Sequence, residues 1–321
     1  MLKSLQTYGT LACFAGLILF FWIMLPGTFM TGRNLMNISQ QVSMLAVAAF
    51  AMTVVMAMGD FDLSVGSMAS LAGIAAAVMF RETDSVFPGV ALALVVGIAG
   101  GVLNGALVSY LGILPFVATL GTLTVFSGLA FLVSGGKTIF GGDIPAAFSG
   151  FAKGGLHLWT TGDQVLSLPN LTLLAAAVFA IVWFMLQKLV FGRHLYAMGG
   201  NAEAARLAGV RVRATRLTAF AISGLGAAIA GLMYASRVAS ANPTQGAGLM
   251  LDAIAAVFLG MTISRHGEPR VLNTLAGVLI LGVLNNGLTQ LSVDSYVRDI
   301  LVGTIIIAAV AASSFEKLRR N

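Results

Sequence analysis

Ten apolar stretches, each close to the length that crosses a lipid bilayer, occupy most of this 321-residue sequence. A helix needs about 20 consecutive apolar residues to cross the hydrocarbon core of a membrane. Charged residues make up only 9% of the chain, whereas soluble domains carry about 25%. We therefore predict an all-α polytopic membrane protein in which residues 1–321 form a single transmembrane domain. The ten predicted spans are 8–26, 41–58, 65–80, 88–110, 115–135, 170–191, 216–238, 250–264, 271–290 and 297–314, and those at 65–80 and 250–264 are short.

The basic residues are divided unevenly between the two sides of the predicted bundle. Ten spans place both termini on one side, and if that side is the cytoplasm, 12 of the 18 Lys and Arg residues lie there. Cytoplasmic connections carry such an excess in membrane proteins. We therefore predict an N-in/C-in topology, with a cytoplasmic loop at 192–215 and an outer loop at 136–170. The basic residues cluster at loop ends without surface aromatic residues between them, so we expect no nucleic-acid partner.

Two segments far apart in the chain resemble each other. Residues 98–113 and 279–293 both contain Gly-Val-Leu-Asn, followed by a glycine and an apolar tail. They fall in the fourth and ninth predicted spans, which cross in opposite directions, so the pattern predicts two inverted repeats. Inverted repeats are common in transporters, where the pathway lies at the repeat interface. The alternative is a chance similarity of two helices rich in Gly, Leu and Val.

A polar segment, Gly59-Asp60-Phe61-Asp62-Leu63-Ser64-Val65-Gly66-Ser67, interrupts the apolar sequence between the second and third spans. Charged residues at membrane depth are energetically costly and are usually functional or paired. Two interpretations are possible, and they are compatible with each other. In the first, Asp62 or Ser64 caps the third helix. In the second, Asp60, Asp62 and Ser64 line a cavity that a polar solute crosses. Asp252, near the start of the eighth span, presents the same choice.

Three asparagines lie within predicted spans: Asn104 in the fourth, and Asn285 and Asn286 in the ninth. An amide that faced lipid would have no hydrogen-bond partner, so we expect these side chains to point into the bundle. There they either join helices by hydrogen bonds or line the pathway.

The cytoplasmic loop contains a short predicted helix with a face of small residues. Asn201 is a favourable N-cap, the next seven residues are Ala-Glu-Ala-Ala-Arg-Leu-Ala, and Gly209 ends the helix. Glu203 lies in the first turn, where a negative charge suits the helix dipole. Ala204, Ala205 and Ala208 offer a smooth surface that can enter a groove on another protein, while Arg206 pairs with acids at its rim. The alternative is a solvated connection whose arginines only set the topology.

The sequence contains no recognisable catalytic or cofactor motif. Gly136-Lys137-Thr138 resembles the end of a phosphate-binding P-loop, but the position that requires a glycine five residues earlier is Phe131. The three histidines are scattered and predict no metal cluster, and a single cysteine cannot form a disulfide within the chain. We therefore expect that the chain is not itself an enzyme and binds no cofactor of its own.

Four sequence motifs follow one another along the chain between about residues 30 and 312. They are the polar segment at 59–67, Gly199-Gly200-Asn201 with Glu203-Ala204-Ala205 and Gly209, the run from Leu251 to Val257, and Leu284-Asn285-Asn286-Gly287-Leu288. Together they resemble the ribose/xylose/arabinose-type permeases of bacterial ABC importers, which belong to the branched-chain permease superfamily. The Glu-Ala-Ala motif on its own would be weak, and the ordered combination is specific.

The resemblance implies a multi-pass protein of the bacterial inner membrane that imports a monosaccharide such as ribose, arabinose or xylose. It implies a second permease copy, as a homodimer or with a paralogue, together with cytoplasmic ATPase subunits that hold Mg-ATP and a periplasmic sugar-binding protein. The loop at 136–170 is then periplasmic. It also implies that the cytoplasmic helix docks on the ATPase through Glu203, Ala204, Ala205, Arg206 and Gly209. The alternative function is a proton-coupled secondary transporter that uses Asp60 or Asp62.

One segment departs from the family pattern. The family usually has a glycine-rich turn after the eighth span, whereas residues 260–270 of this chain read Gly-Met-Thr-Ile-Ser-Arg-His-Gly-Glu-Pro-Arg. This loop is stiffer and more charged. We therefore expect contacts or gating at this cytoplasmic edge to differ from those of the family.

Overall fold

The computed structural model describes residues 2–161, 164–264 and 267–318, which form a bundle of helices with four short strands in the connections. The helices are α1 (Leu2–Met24), α2 (Gly32–Met56), α3 (Val65–Thr83), α4 (Val86–Ser109), α5 (Pro115–Ser134), α6 (Ala146–Lys153), α7 (Asn170–Lys188), α8 (Val190–Leu207), α9 (Val212–Val238), α10 (Leu249–Ile263), α11 (Val271–Gln290) and α12 (Ser295–Leu318). The strands are β1 (Ile139–Phe140), β2 (Gly155–Thr161), β3 (Gln164–Pro169) and β4 (Ser240–Ala241), and a 3-10 turn covers Gly141–Asp143.

Each of the ten predicted spans coincides with a helix. Among the described residues, seven helices (α2, α3, α4, α5, α7, α9 and α11) are long and apolar enough to cross a membrane. The chain is thus an all-α polytopic membrane protein, while the count of ten spans and the N-in/C-in orientation remain predictions. The span expected at 250–264 is α10, whose 15 residues extend only about 22 Å, less than the ~30 Å hydrocarbon core.

Several predicted span boundaries differ from the structure, and two of the differences have a clear physical reason. The second span begins at residue 32 rather than 41 because its polar first turns find partners. Thr31 caps the backbone N–H of Asn34 (3.2 Å), and the side chain of Gln40 donates to the carbonyl oxygen of Ala152 (2.7 Å). The span predicted at 170–191 ends at Lys188, where a sharp turn leads into α8.

Helix α9 lies in the centre of the bundle and packs closely on α4. The two helices run antiparallel, with Gly97 facing Gly224 and Gly105 facing Leu217. A Cβ atom on Gly97 would lie 2.5 Å from the carbonyl oxygen of Gly224, and one on Gly105 would lie 2.8 Å from the Cα of Leu217. Small residues are therefore required along this seam, as is common where membrane helices pack by close backbone approach.

The packing of the two halves of the chain is reciprocal. Helix α9 packs on α2, α3 and α4, and α2 packs on α9, α10 and α11. Within the two similar segments, Gly101 of α4 packs on Phe220 of α9, and Gly282 of α11 packs on Val42 of α2. This arrangement is the one expected of two inverted repeats, which remain a prediction.

The connections assigned to each side of the membrane group at opposite ends of the bundle. Three contacts lie at the end predicted to be cytoplasmic: Gly199 with Ala57, Asp60 with Arg216, and Tyr196 with Pro269. At the other end β1 pairs with β4 in antiparallel register, and the Ser236 hydroxyl donates to the carbonyl oxygen of Phe148 (2.6 Å). The grouping agrees with the predicted assignment of loops to sides, and the outer loop is folded into β1, α6 and the hairpin of β2 and β3.

Candidate functional site

A buried hydrogen-bond network surrounds Asp62 in the connection between α2 and α3. We call residues 57–64 the link segment. One carboxylate oxygen of Asp62 accepts the backbone N–H (3.0 Å) and the hydroxyl (2.6 Å) of Ser64, and the other accepts the hydroxyl of Ser223 (2.7 Å). Asn104 donates to the Ser64 hydroxyl (2.8 Å) and accepts from Thr122 (2.6 Å). This Asp62 network joins the link segment to α4, α5 and α9.

The structure changes the interpretation of the helix cap. Ser64 occupies the N-cap position of α3, but its side chain accepts no hydrogen bond from the helix. Its hydroxyl donates to Asp62 instead, because a buried carboxylate is a strong acceptor and needs donors. Of the two residues predicted to cap α3, Ser64 occupies the cap position without a side-chain cap bond, and Asp62 holds the backbone N–H at the entry to the helix.

The N-terminal ends of α3 and α10 meet inside the bundle. Gly66 in α3 and Gly246 just before α10 are in backbone contact, and a Cβ atom on either would overlap the carbonyl oxygen of the other. The N–H of Gly246 also donates to the hydroxyl of Ser70 (2.8 Å). Gly66 and Gly246 are both buried, so the two helices begin inside the bundle. We call this contact the α3–α10 junction; interrupted helices at such depth form the binding sites of many transporters.

Asp60 forms an ion pair with Arg216 at the start of α9. The Nε atom of Arg216 lies 2.8 Å from a carboxylate oxygen of Asp60. The Asp60 side chain is 9% exposed and the Arg216 side chain is 23% exposed. The charge of Asp60 is therefore balanced within the chain. In the sequence, Arg216 is one of several arginines that mark the cytoplasmic side, so its partner was not predictable from position alone.

The other predicted polar residues lie apart from the Asp62 network. The Asn286 side chain accepts from Asn34 (3.1 Å) and Gln290 (2.8 Å) and joins α11 to α2. Asn285 and Asp252 are half-buried, and neither side chain makes a hydrogen bond with another described residue in the network. Of the predicted polar residues, only Asp62, Ser64 and Asn104 therefore come together.

The predicted cytoplasmic helix is the second half of α8. A kink at Asn201 (φ −159°, ψ 104°) divides the helix, and the Asn201 side chain accepts the backbone N–H of Ala204 (2.9 Å), which confirms the predicted N-cap. Gly209 has a φ of +89°, in the region that favours glycine. Arg206 holds Glu203 through two hydrogen bonds, and these lower the pKa of Glu203 below its usual range.

The exposed face of this helix differs from the predicted one. Ala204 and Ala208 are exposed, but Ala205 is buried against its own chain. Leu207 is 76% exposed, so an apolar side chain accompanies the alanines on the outward face. Sequence reasoning missed Leu207 because a single leucine in an amphipathic helix is usually part of the core.

The loop before α11 contacts α8 directly. The Tyr196 hydroxyl donates to the carbonyl oxygen of Pro269 (2.9 Å), and burial raises the pKa of Tyr196 to about 12. Tyr196 therefore remains a hydrogen-bond donor throughout the physiological pH range. Arg270 and Glu268 form an exposed ion pair (3.2 Å), and Arg265 and His266, which carry part of the predicted charge of this loop, lie outside the described residues.

A polar cavity of about 440 Å³ opens at the opposite end of the molecule, between the outer loop and the bundle. Its polar lining side chains are Gln40, Lys153, Ser167 and Arg237, with the backbone of Gly154 and Gly155. The lining contains two cations and no acid. This recess lies on the face that the predicted topology places outside the cytoplasm.

A family model described as the permease component of branched-chain amino acid transport systems matches residues 34–310. The chain belongs to this permease family. The match covers nearly the whole of the segment predicted from the motifs, and it identifies the chain, together with its seven long apolar helices, as a multi-pass protein of the bacterial inner membrane.

Curated relatives of similar length carry sugar permease names. The chain is 36% identical to the ribose import permease protein RbsC of Haemophilus influenzae, over 91% of this chain and 88% of the relative. It is also 36% identical to the L-arabinose transport system permease protein AraH of Escherichia coli (97% and 91%), and 32% identical to the D-allose transport system permease protein AlsC of the same organism (95% and 90%). No solved structure matches the chain.

Proposed function

We propose that this chain is the membrane-spanning subunit of an ATP-driven importer that carries a monosaccharide, of the pentose type, into the cytoplasm. The observation that carries the proposal is the capped helix 202–207 at the predicted cytoplasmic end, with Ala204, Leu207 and Ala208 exposed. An exposed apolar side chain among small residues fits a groove on a partner protein. The ribose and arabinose permeases among the relatives support a monosaccharide as the solute.

The proposed assembly contains two permease copies, identical or paralogous, and two ATPase subunits that dock on the helix ending at Leu207. Mg-ATP is held by the ATPases, and this chain contributes the docking surface and the pathway. A periplasmic binding protein delivers the sugar to the outer face. Movement of the ATPases then shifts the bundle between outward- and inward-facing states.

Within this chain we assign the pathway to the region of the α3–α10 junction. The Asp62 network fixes the entry to α3 through Asp62, Ser64 and Asn104, and Asp252 lies in the first turn of α10. Backbone groups freed by an interrupted helix are available to hydroxyl-rich solutes. Asn285 and Asn286 lie on α11, where Asn286 serves to join helices.

A proton-coupled transporter that uses Asp60 or Asp62 has less support. Asp60 is paired with Arg216 at 2.8 Å, and Asp62 accepts hydrogen bonds on both carboxylate oxygens. A proton carrier must exchange its hydrogen-bond partners during the cycle, and both residues are already engaged by fixed groups of the chain.

Reconstitution separates the two functions. The chain is placed in liposomes alone or with its ATPase and binding protein, and uptake of labelled ribose, arabinose, xylose and allose is measured. We expect uptake only in the complete assembly with ATP, unaffected by a protonophore. Uptake by the chain alone under a proton gradient, abolished by the protonophore, would establish the alternative.

A further inference from the structure

The first half of α8 rests on the link segment through backbone contact. A Cβ atom on Gly199 would overlap the carbonyl oxygen of Ala57. On the other side of this contact Gly59 has a φ of +87°, and a Cβ atom there would lie 3.9 Å from the Cα of Gly199. Two backbones without intervening side chains make a stiff contact, because interiors packed this closely transmit displacement rather than absorb it.

The helix that follows the cytoplasmic loop holds the same segment. Arg216, near the start of α9, pairs with Asp60 at 2.8 Å, and Ser223 donates to Asp62 at 2.7 Å. The link segment is thus attached to α8 through Gly199 and to α9 through Asp60 and Asp62. The first half of α8 and helix α9 thus lie on either side of the proposed ATPase-docking helix along the chain.

The far end of the link segment leads into the α3–α10 junction. Ser64 ends the segment, and two residues later Gly66 is in backbone contact with Gly246. A displacement of residues 57–64 is therefore passed directly to the N terminus of α3, which touches the start of α10. Phe61 also packs against Phe258 of α10, with ring centroids 6.1 Å apart.

We propose that the link segment transmits the motion of α8 to the α3–α10 junction, with Gly199, Asp60 and Arg216 as its positioning residues. The proposal rests on the proposed function, because an ATPase must drive α8. It predicts that disturbing these contacts allows ATP hydrolysis to proceed with less sugar transport, while the docking surface stays intact. The relevant readout is the amount of sugar imported per ATP hydrolysed.

Two adjacent glycines offer a matched pair of variants. Gly199→Ala places a methyl group against the Ala57 carbonyl, whereas a Cβ atom on Gly200 meets open space. In the complete reconstituted assembly we expect Gly199→Ala to retain the ATPase and to lower sugar import per ATP by about tenfold, a typical size for coupling between sites. Gly200→Ala should behave as the unmodified chain does.

The outcomes distinguish this inference from the proposed function. If the unmodified chain binds no ATPase, the proposed function fails. If it imports sugar with ATP but Gly199→Ala does so equally well, the transmission proposal alone is overturned. Loss of the ATPase from Gly199→Ala would also overturn it, because the contact would then belong to docking.

A charge exchange provides a second test in case Gly199→Ala does not insert. Asp60→Arg and Arg216→Asp each break the ion pair, and the double variant restores a pair of opposite charges. We expect each single variant to lower sugar import per ATP and the double variant to recover a substantial part of it. Equal import by all three variants and the unmodified chain would overturn the proposal.

Discussion

At the scale of single residues, Asp62 is a buried carboxylate with hydrogen-bond partners on both oxygens. It is 1% exposed, and its two carboxylate oxygens are held by Ser64 and Ser223. These hydroxyls and the Asn104 amide are almost completely buried, so the network is stable only while the acceptor at its centre is present. We therefore expect the main role of Asp62 to be stabilisation of the fold.

Removal of that acceptor should be costly. We expect Asp62→Ala to lower the free energy of unfolding by about 1–3 kcal/mol, because buried donors lose their partner. Thermal unfolding of the purified protein in detergent measures the change. Glu82→Ala is the control, since Glu82 pairs with Arg81 on the surface and such exposed pairs contribute about 0–1 kcal/mol. Equal unfolding temperatures for both variants would contradict the structural role.

At the scale of elements, the kink in α8 separates two tasks. The half before Asn201 packs on the link segment, and the half after it presents Leu207 to the exterior. Because the cap at Asn201 starts the second half as a helix of its own, its exposed face can change without disturbing the first half.

A charge on the exposed face should therefore weaken docking alone. We expect Leu207→Glu to weaken association with the ATPase about 10- to 100-fold, since burial of a leucine contributes about 1.5–3 kcal/mol. Co-purification of the ATPase at graded concentrations measures this. Ala214→Glu is the control, because Ala214 is also exposed but lies on α9 beyond the docking helix. If both variants bind equally, Leu207 is not part of the interface.

At the scale of the whole molecule, the reciprocal packing of α2 and α9 makes the two halves one structural unit. The loops at each end cluster consistently, with α8 near Pro269 at one end and β1 against β4 at the other. The clustering of the loops places residues 204 and 158 at opposite ends of the bundle, whichever end faces the cytoplasm.

Cysteine labelling tests both statements. Cys13 is the single cysteine of the chain, so Cys13→Ser provides a background for Ala204→Cys and Leu158→Cys. We expect Leu158→Cys to react with an impermeant reagent in intact spheroplasts and Ala204→Cys to react only in inverted vesicles. Labelling of both from one side contradicts the fold, and the reverse pattern contradicts the N-in orientation.

The residues that sequence reasoning identified are those whose chemistry is unusual in an apolar chain. Asp62, Ser64 and Asn104 stand out because polar groups in a membrane need partners, and Asn201 with Gly209 has the pattern of a capped helix. Ser223 and Thr122 were missed because single hydroxyls are common in membrane helices. The contact of Gly199 with Ala57 could not be predicted, because it depends on how two distant backbone segments cross. It involves backbone atoms, so no characteristic side chain marks it in the sequence.

The seam between α4 and α9 has a consequence for how the protein is made. The glycine face of α4 has its partner on α9, yet residues 110–211 are synthesised between the two helices. At typical translation rates that interval is on the order of ten seconds. During this time the glycine face of α4 lacks its partner on α9. The packing of α4 is therefore completed only after α9 has been inserted.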